Sequence, residues 1–106
     1  MKRTLENIKY RQETEEIARF AKALGHPTRI LILRHLENQT CRFTGDLVDI
    51  LPLAQPTISQ HLKELKNAGL IQGELKPPKI KYCIDIKNWS RAQELFKDLF
   101  DNVLNR

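Results

Sequence analysis

Apolar side chains recur at helical spacing along most of this chain, and the clearest case lies between residues 54 and 69. Ile58, Leu62 and Leu65 stand at i, i+4 and i+7, which puts them on one face of a helix. The opposite face carries Thr57, Gln60, Lys63, Glu64 and Asn67, with Ser59 on its flank. Pro56 suits a first helical turn, where its missing N–H costs nothing. Gly69, just past the last periodic residue, predicts the stop. The polar face is short-chained and rich in amides and hydroxyls, whereas a generic surface helix carries more Glu–Lys pairing. Such side chains can hydrogen-bond base edges, and Lys63 suits a phosphate.

The same periodicity predicts four more helices around it. A first helix runs from about Leu5 to Leu24, with Ile17, Phe20, Ala21 and Leu24 on one face and a polar first half apart from Leu5, Ile8 and Tyr10. Gly25-His26-Pro27 breaks it. A second helix from Pro27 to about Glu37 contains Ile30-Leu31-Ile32-Leu33, apolar almost all round, and is expected to be the most buried. A connector follows, with a short strand expected at Cys41 to Phe43. A third helix spans about Thr44 to Leu51, with Thr44 able to cap it and Asp46 placed well in its first turn. Pro52 ends it, and only a tight turn separates it from the helix of residues 54–69. That pair reads as a helix-turn-helix.

After Gly69 the period changes to two. Leu70 to Leu75 and Ile80 to Asp85 are the expected strands, joined by Lys76-Pro77-Pro78-Lys79. Ile80, Tyr82 and Ile84 are expected on the core side, Lys81 and Cys83 outward. A β-hairpin directly after a helix-turn-helix is a wing. The last helix, about Trp89 to Leu104, has an apolar stripe too wide for one contact: Trp89, Ala92, Phe96, Leu99 and Val103, broadened by Leu95, Phe100 and Leu104. Its width predicts one contact with its own domain and one with a partner. The fold class is therefore mainly α with a small β-hairpin, a winged helix-turn-helix.

Length and charge narrow the partner. The 106 residues make one domain, and a net charge of +5 favours a polyanion. The longest apolar run, Ile30 to Leu33, is too short for a bilayer, so no membrane partner is expected. Met1-Lys2-Arg3 leads into a polar helix rather than an apolar leader core, so the expected location is cytoplasmic. Two cysteines do not make a disulfide framework, and a reducing compartment agrees with free thiols. No Gly-rich phosphate loop or nucleophile elbow is present, and an enzyme is not expected.

Some residues carry candidate chemistry of their own. Lys76, Lys79 and Lys81 on the hairpin suit phosphate contacts, although cations there also protect a strand edge from aggregation; Arg42 is a weaker candidate. Cys41 and Cys83 fall on segments that a winged helix brings close, so they are a possible redox pair if their Cα atoms lie within about 7 Å; two unrelated free thiols is the preferred reading. His61 borders the apolar face and reads as a half-buried side chain or phosphate contact. His35 is expected to make a local hydrogen bond, and His26 to be exposed.

These elements together resemble the ArsR family of bacterial winged-helix repressors. The resemblance rests on Ala23-Leu24-Gly25-His26-Pro27-Thr28-Arg29-Ile30-Leu31-Ile32-Leu33, on Asp46 to Leu51, on Gln55 to Leu65 with Ala68-Gly69-Leu70-Ile71, and on Ile80 to Ile84. It covers residues from about 15 to 86. It implies a homodimer built on the first and last helices, and repression of a promoter released by a small effector, which remains unknown. Within one domain of residues 1–106 it implies dimerisation helices at 1–24 and 88–106, a helix-turn-helix at 44–69 and a wing at 70–86. Family members often have Asp where His26 stands and Ser where Ala54 stands, both as helix caps, and losing a cap costs about 1 kcal/mol. Metal-sensing members have Cys-x-Cys where this chain has Phe43 and Gly45, and neither can ligate a metal. A second family site uses carboxylates and histidines on the last helix, where this chain offers Asp98 and Asp101 but no histidine. No metal or other cofactor is expected.

The leading reading is thus a sequence-specific regulator of transcription whose operator contacts come from Gln55, Thr57, Ser59, Gln60 and Lys63, with Lys76, Lys79 and Lys81 on the backbone. Its dimer seam would use Ile17, Phe20, Trp89, Phe96, Leu99, Phe100 and Val103. Two alternatives are a winged-helix protein–protein module and a thiol-responsive regulator using Cys41 and Cys83. The polar, positive face of residues 57–63 favours double-stranded DNA over a protein.

Overall fold

The computed structural model describes residues 2–104, with side chains from residue 7 onward. Met1, the last two residues and the side chain of Leu5 lie outside the described residues, and so do the outer ends of the spans 1–24 and 88–106. Five helices and a three-stranded sheet follow one another: α1 (Lys2–Leu24), α2 (Pro27–Arg34), a 3-10 turn (Glu37–Gln39), β1 (Arg42–Phe43), α3 (Thr44–Ile50), α4 (Gln55–Asn67), β2 (Ile71–Lys76), β3 (Lys79–Ile84) and α5 (Ile86–Leu104). The antiparallel sheet has the order β1-β3-β2, with β1 paired through Arg42↔Tyr82 and Phe43↔Lys81, and β2 through six pairs from Ile71↔Ile84 to Lys76↔Lys79.

Every helix contributes to one core. Phe20 of α1, Ile32 of α2, Leu47 of α3, Ile58, Leu62 and Leu65 of α4, and Leu95 of α5 are all buried, together with Leu36 and Leu70 from the connections and Ile71 at the start of β2. Each such side chain contributes on the order of 1.5–3 kcal/mol by leaving water. Among the described residues no polar or charged side chain is buried, so the core carries no desolvated charge.

The helix ends are fixed locally. The Phe43 N–H donates to Asp46 Oδ2 at 2.8 Å, so Asp46 rather than Thr44 satisfies the start of α3. The Thr28 N–H donates to His26 Nδ1 at 3.1 Å, so His26 is itself the cap of α2 and no cap is lost there. Ala54 precedes α4 without a side-chain cap, as its methyl dictates. At α5 the Asn88 N–H donates to Asp85 Oδ1 at 3.1 Å and the Trp89 N–H to the Asp85 carbonyl at 2.8 Å, which starts the helix three residues before the expected Trp89.

Gly69 ends α4 at φ +89, a left-handed conformation that a side chain resists. A Cβ at this position would also stand 2.8 Å from Asn88 Nδ2. Gly69→Ala is therefore expected to destabilise the chain by about 1–3 kcal/mol, read as a lower urea midpoint at unchanged slope; an unchanged midpoint would show that the turn relaxes freely.

Several expectations are corrected by the packing. In α2 only Ile32 and Leu33 are buried, while Ile30 is 37% and Leu31 47% exposed, because α2 ends at Arg34 and only one of its sides meets α1 and α4. Phe20, expected at a dimer seam, is 1% exposed inside its own protomer's core and has no surface left for a partner. Ile80, expected on the core side, is 38% exposed near the hairpin tip, whereas Tyr82 and Ile84 do pack against the core. Cys41 and Cys83, preferred as free thiols, are joined in a disulfide with Cα atoms 4.5 Å apart, because the pairing of β1 with β3 places them side by side.

Candidate nucleic-acid interface

The buried triad on α4 decides which side of that helix meets solvent. Ile58, Leu62 and Leu65 are each 0% exposed. With that face closed, Thr57, Gln60 and Lys63 are exposed on the opposite side, as the 3.6-residue period requires, Ser59 is exposed on the flank, and Gln55 is exposed as the first residue of the helix. Together they form a polar row of amides, hydroxyls and an ammonium. Gln60 Nε2 donates to Glu64 Oε1 at 3.1 Å, so one amide hydrogen is already committed while the Gln60 carbonyl oxygen stays open. Glu64 itself is half-buried and brings a negative charge to the edge of the row.

Three polar links outside the core hold α4 in place, and none was assigned a role from the sequence. Arg19 Nε donates to the Ala68 carbonyl at 3.4 Å. Asn88 Nδ2 donates to the Gly69 carbonyl at 2.9 Å and to Asp85 Oδ2 at 3.3 Å, which clasps the end of α4 to the start of α5. Arg29 Nε donates to His61 Nδ1 at 3.1 Å, and its Nη1 reaches the Lys22 and Ala23 carbonyls at 3.4 Å. The Asp85-x-x-Asn88 spacing and the Pro27-Thr28-Arg29 turn were visible as residues, but their partners are set by tertiary packing.

His61 is half-buried on α4, with the His26 ring centroid 4.4 Å away. Burial pushes its pKa down, and the His26 and Arg29 charges push the same way, against a smaller opposing pull from Glu64. The unfolded chain therefore takes up a proton at His61 before the folded one does. Stability from this group is complete above the ordinary histidine value of about 6.5 and is lost as pH falls through the depressed folded value. Thermal melts from pH 7.5 down to 5 should show this loss, and His61→Gln should flatten it; an unchanged profile in that variant would assign the slope elsewhere.

The hairpin supplies cations. The Lys79 and Lys81 ammonium groups lie 5.6 and 5.9 Å from the Phe43 ring centre, close enough for the aromatic face to attract them. Lys76 pairs with Glu74 at 3.0 Å, both more than half exposed, so its charge is partly neutralised. The wing thus carries Lys76 and Lys79 as the sheet pair next to its turn, with Lys81 two residues further along β3.

On the far side of the molecule, α5 divides its wide stripe. Ala92 and Leu95 are buried, while Phe100 and Val103 are 62% and 60% exposed and Leu99 is 39% exposed. Ile17, Trp89 and Phe96 are half-buried against the core. The α1–α5 contact is pinned by Arg91, whose guanidinium donates to both Glu16 carboxylate oxygens at 3.1 and 3.0 Å and holds that carboxyl below its ordinary range. Among the described residues no three His, Cys, Asp or Glu side chains converge on a metal position, and no helix is long and apolar enough to cross a membrane.

Comparison with known proteins agrees with this architecture. The sequence profile described as "Bacterial regulatory protein, arsR family" matches residues 26–72. An uncharacterized HTH-type transcriptional regulator of Methanocaldococcus jannaschii, MJ1325, is 39% identical over 87 residues, which cover 81% of this chain and 93% of that protein. The HTH-type transcriptional repressor SmtB of Mycobacterium tuberculosis is 45% identical over 62 residues, 58% of this chain but only 44% of SmtB. Among solved structures, the homodimeric winged helix-turn-helix DNA-binding domain of Mb0332 from Mycobacterium bovis, a possible ArsR-family regulator, superposes with a TM-score of 0.67 at 26% identity and covers 87% of this chain and 84% of that one. The buried triad of α4, its exposed polar row, the lysine-tipped wing and these similarities together make this chain a member of the arsR family of helix-turn-helix transcriptional regulators.

Proposed function

We propose that the chain is a dimeric repressor that reads operator DNA with α4. The observation that carries this reading is that Thr57, Gln60 and Lys63 are exposed opposite three side chains with no solvent exposure, with Ser59 exposed on the flank and Gln55 at the helix start. A helix of this kind fits the major groove, where amides and hydroxyls meet base edges and Lys63 meets a phosphate. Lys76, Lys79 and Lys81 would hold the backbone beside it. The second copy would pack along α1 and α5, on Leu99, Phe100 and Val103, where a groove of about 240 Å³ between the two helices also exposes Tyr10. Two α4 helices related by a twofold axis would then address half-sites roughly 34–36 Å apart. The similar Mb0332 domain is homodimeric. The reading places the chain in the cytoplasm with the DNA. Phe43 and Gly45 provide no metal ligands, so release would not proceed through the Cys-x-Cys site.

Binding of a panel of duplexes tests this. Gln60→Ala should reduce discrimination among sequences by about 1–3 kcal/mol per half-site. Lys63→Ala should weaken all duplexes alike and flatten the salt dependence by roughly one phosphate contact per protomer. Wild-type behaviour in both variants would remove α4 from the interface.

A second reading, a thiol-responsive regulator, is favoured by the Cys41–Cys83 bond itself. The bond ties the strand that leads into α3 to the return strand of the wing. In a reducing compartment such a bond is a variable rather than a fixed staple. A dithiol reductant would pass two electrons and two protons to it, leaving two thiols here and a disulfide on the reductant. Equal operator affinity of the oxidised and reduced chains would exclude this reading and leave the first intact.

A further inference from the structure

A cavity of about 580 Å³, lined by no residue of α4, opens between α2, the 3-10 turn, the foot of β3 and the first turn of α5. Its walls are apolar: Ile30 and Leu33 from α2, Ile84 from β3, and Trp89 from α5. Its polar lining comes from Arg34, Glu37, Asn38 and Gln39. The size falls within the range of about 300–1,000 Å³ common for small-molecule sites, and an apolar body with a few polar groups is the usual composition of such a site. Nothing in the DNA-reading surface uses it.

The polar side of the cavity defines the ligand's head. Arg34 Nη1 lies 3.3 Å from Glu37 Oε1, with the two side chains 70% and 56% exposed. An ion pair so exposed contributes little, so Arg34 can exchange Glu37 for another carboxylate and meet it with two N–H donors. Asn38 and Gln39 hold left-handed backbone, φ 57 and 60, beside this cation, and their side-chain amides add neutral donors. The chain's excess of positive charge raises the local concentration of anions. The apolar walls disfavour a sugar or a phosphate. The groove offered to a second copy begins on α5 at Leu95, six residues or about 9 Å along the helix from Trp89, and shares no lining residue with this cavity.

We propose that this cavity binds a small amphipathic carboxylate, with a branched or aromatic hydrocarbon body against Ile30, Leu33, Ile84 and Trp89 and its carboxylate on Arg34. Occupancy would bear on α2 and on the foot of the wing at once. Any effect on operator affinity rests on the regulator reading above; the binding itself does not.

Trp89 is the chain's single tryptophan and lines the cavity, so its emission reports occupancy in the DNA-free, full-length protein. Phenylacetate and 4-methylpentanoate would be titrated beside phenylacetamide and 4-methylpentanamide. Both acids should give a saturable emission change, with affinity about tenfold or more above the matching amide, the difference of one charge-assisted contact. Arg34→Gln, at an exposed position, should erase the preference for the acids while leaving the amides unchanged. Ile30→Phe, which fills the cavity from its rim, should weaken acids and amides together. No saturation with any probe, equal affinity for acid and amide, or an acid preference that survives Arg34→Gln would overturn the proposal. So would emission that follows protein concentration but not acid, since a second copy would then cover the cavity.

Discussion

Leu62→Ala is expected to remove about 2–5 kcal/mol from the free energy of unfolding, the range for truncating a buried leucine in a core that relaxes only partly. Leu62 is fully buried, between Ile58 and Leu65 on the inner side of α4, in the cluster shared by every helix. A domain of this size has a total stability of about 5–15 kcal/mol, so the loss is a large fraction of it. The melting temperature should fall on the order of 10 °C or more. Thr57→Ala, on the exposed side of the same helix, should move stability by no more than about 0.5 kcal/mol. The pair of variants separates folding from reading: the first should lose structure, the second should keep it. Equal urea midpoints for the two would mean that α4 does not anchor the core through Leu62.

Opening the Cys41–Cys83 bond is expected to cost a comparable amount. The two residues are 42 positions apart. Closing a loop of that length in the unfolded chain lowers its entropy by an amount worth about 4 kcal/mol on the loop-closure account, with typical measured values of about 2–4 kcal/mol. Urea melts of the oxidised chain against the reduced chain read the difference. A Cys41→Ser, Cys83→Ser double variant supplies the control without reductant and should match the reduced protein. The loss should begin at β1, a strand of two residues held by two sheet pairs, by the Arg42 guanidinium on the His35 carbonyl at 3.2 Å, and by the Asp46 cap. Hydrogen exchange at the Arg42 and Phe43 amides should therefore accelerate before that of α4. Coincident melts of all three forms would show that the sheet is fully maintained without the crosslink.

Most of the element order can be read from the one-dimensional pattern, because period and punctuation are local. Ile58, Leu62 and Leu65 with Gly69 define α4, and the change to period two with Pro77-Pro78 defines the hairpin. What could not be read depends on where distant segments meet. The disulfide follows from the register of β1 on β3, which sequence spacing does not specify. Phe20 and Val103 look alike as members of apolar stripes, yet one ends in the core and the other at 60% exposure, since only packing decides which edge of a stripe turns inward. The run Ile30 to Leu33 suggests burial on all sides, but α2 is short and borders a cavity, so half of the run stays accessible. Beside the Asp that the family often has there, His26 reads as a lost cap; its Nδ1 nevertheless accepts the Thr28 N–H. The residues of the exposed row on α4 were legible because they follow from that helix's inner face. The residues that position the helix, Arg19, Arg29 and Asn88, were not, since each acts on a carbonyl or ring far away in sequence.

The clasp made by Asn88 has a mechanical consequence. One amide nitrogen is shared by Asp85, at the root of α5, and the Gly69 carbonyl, at the end of α4. The two helices are thereby linked at a single point: a roll of α5 about its long axis would pull on the turn that ends α4. In an assembly where two copies lean on each other along α5, the tilt of one copy's α4 would become a function of the other's.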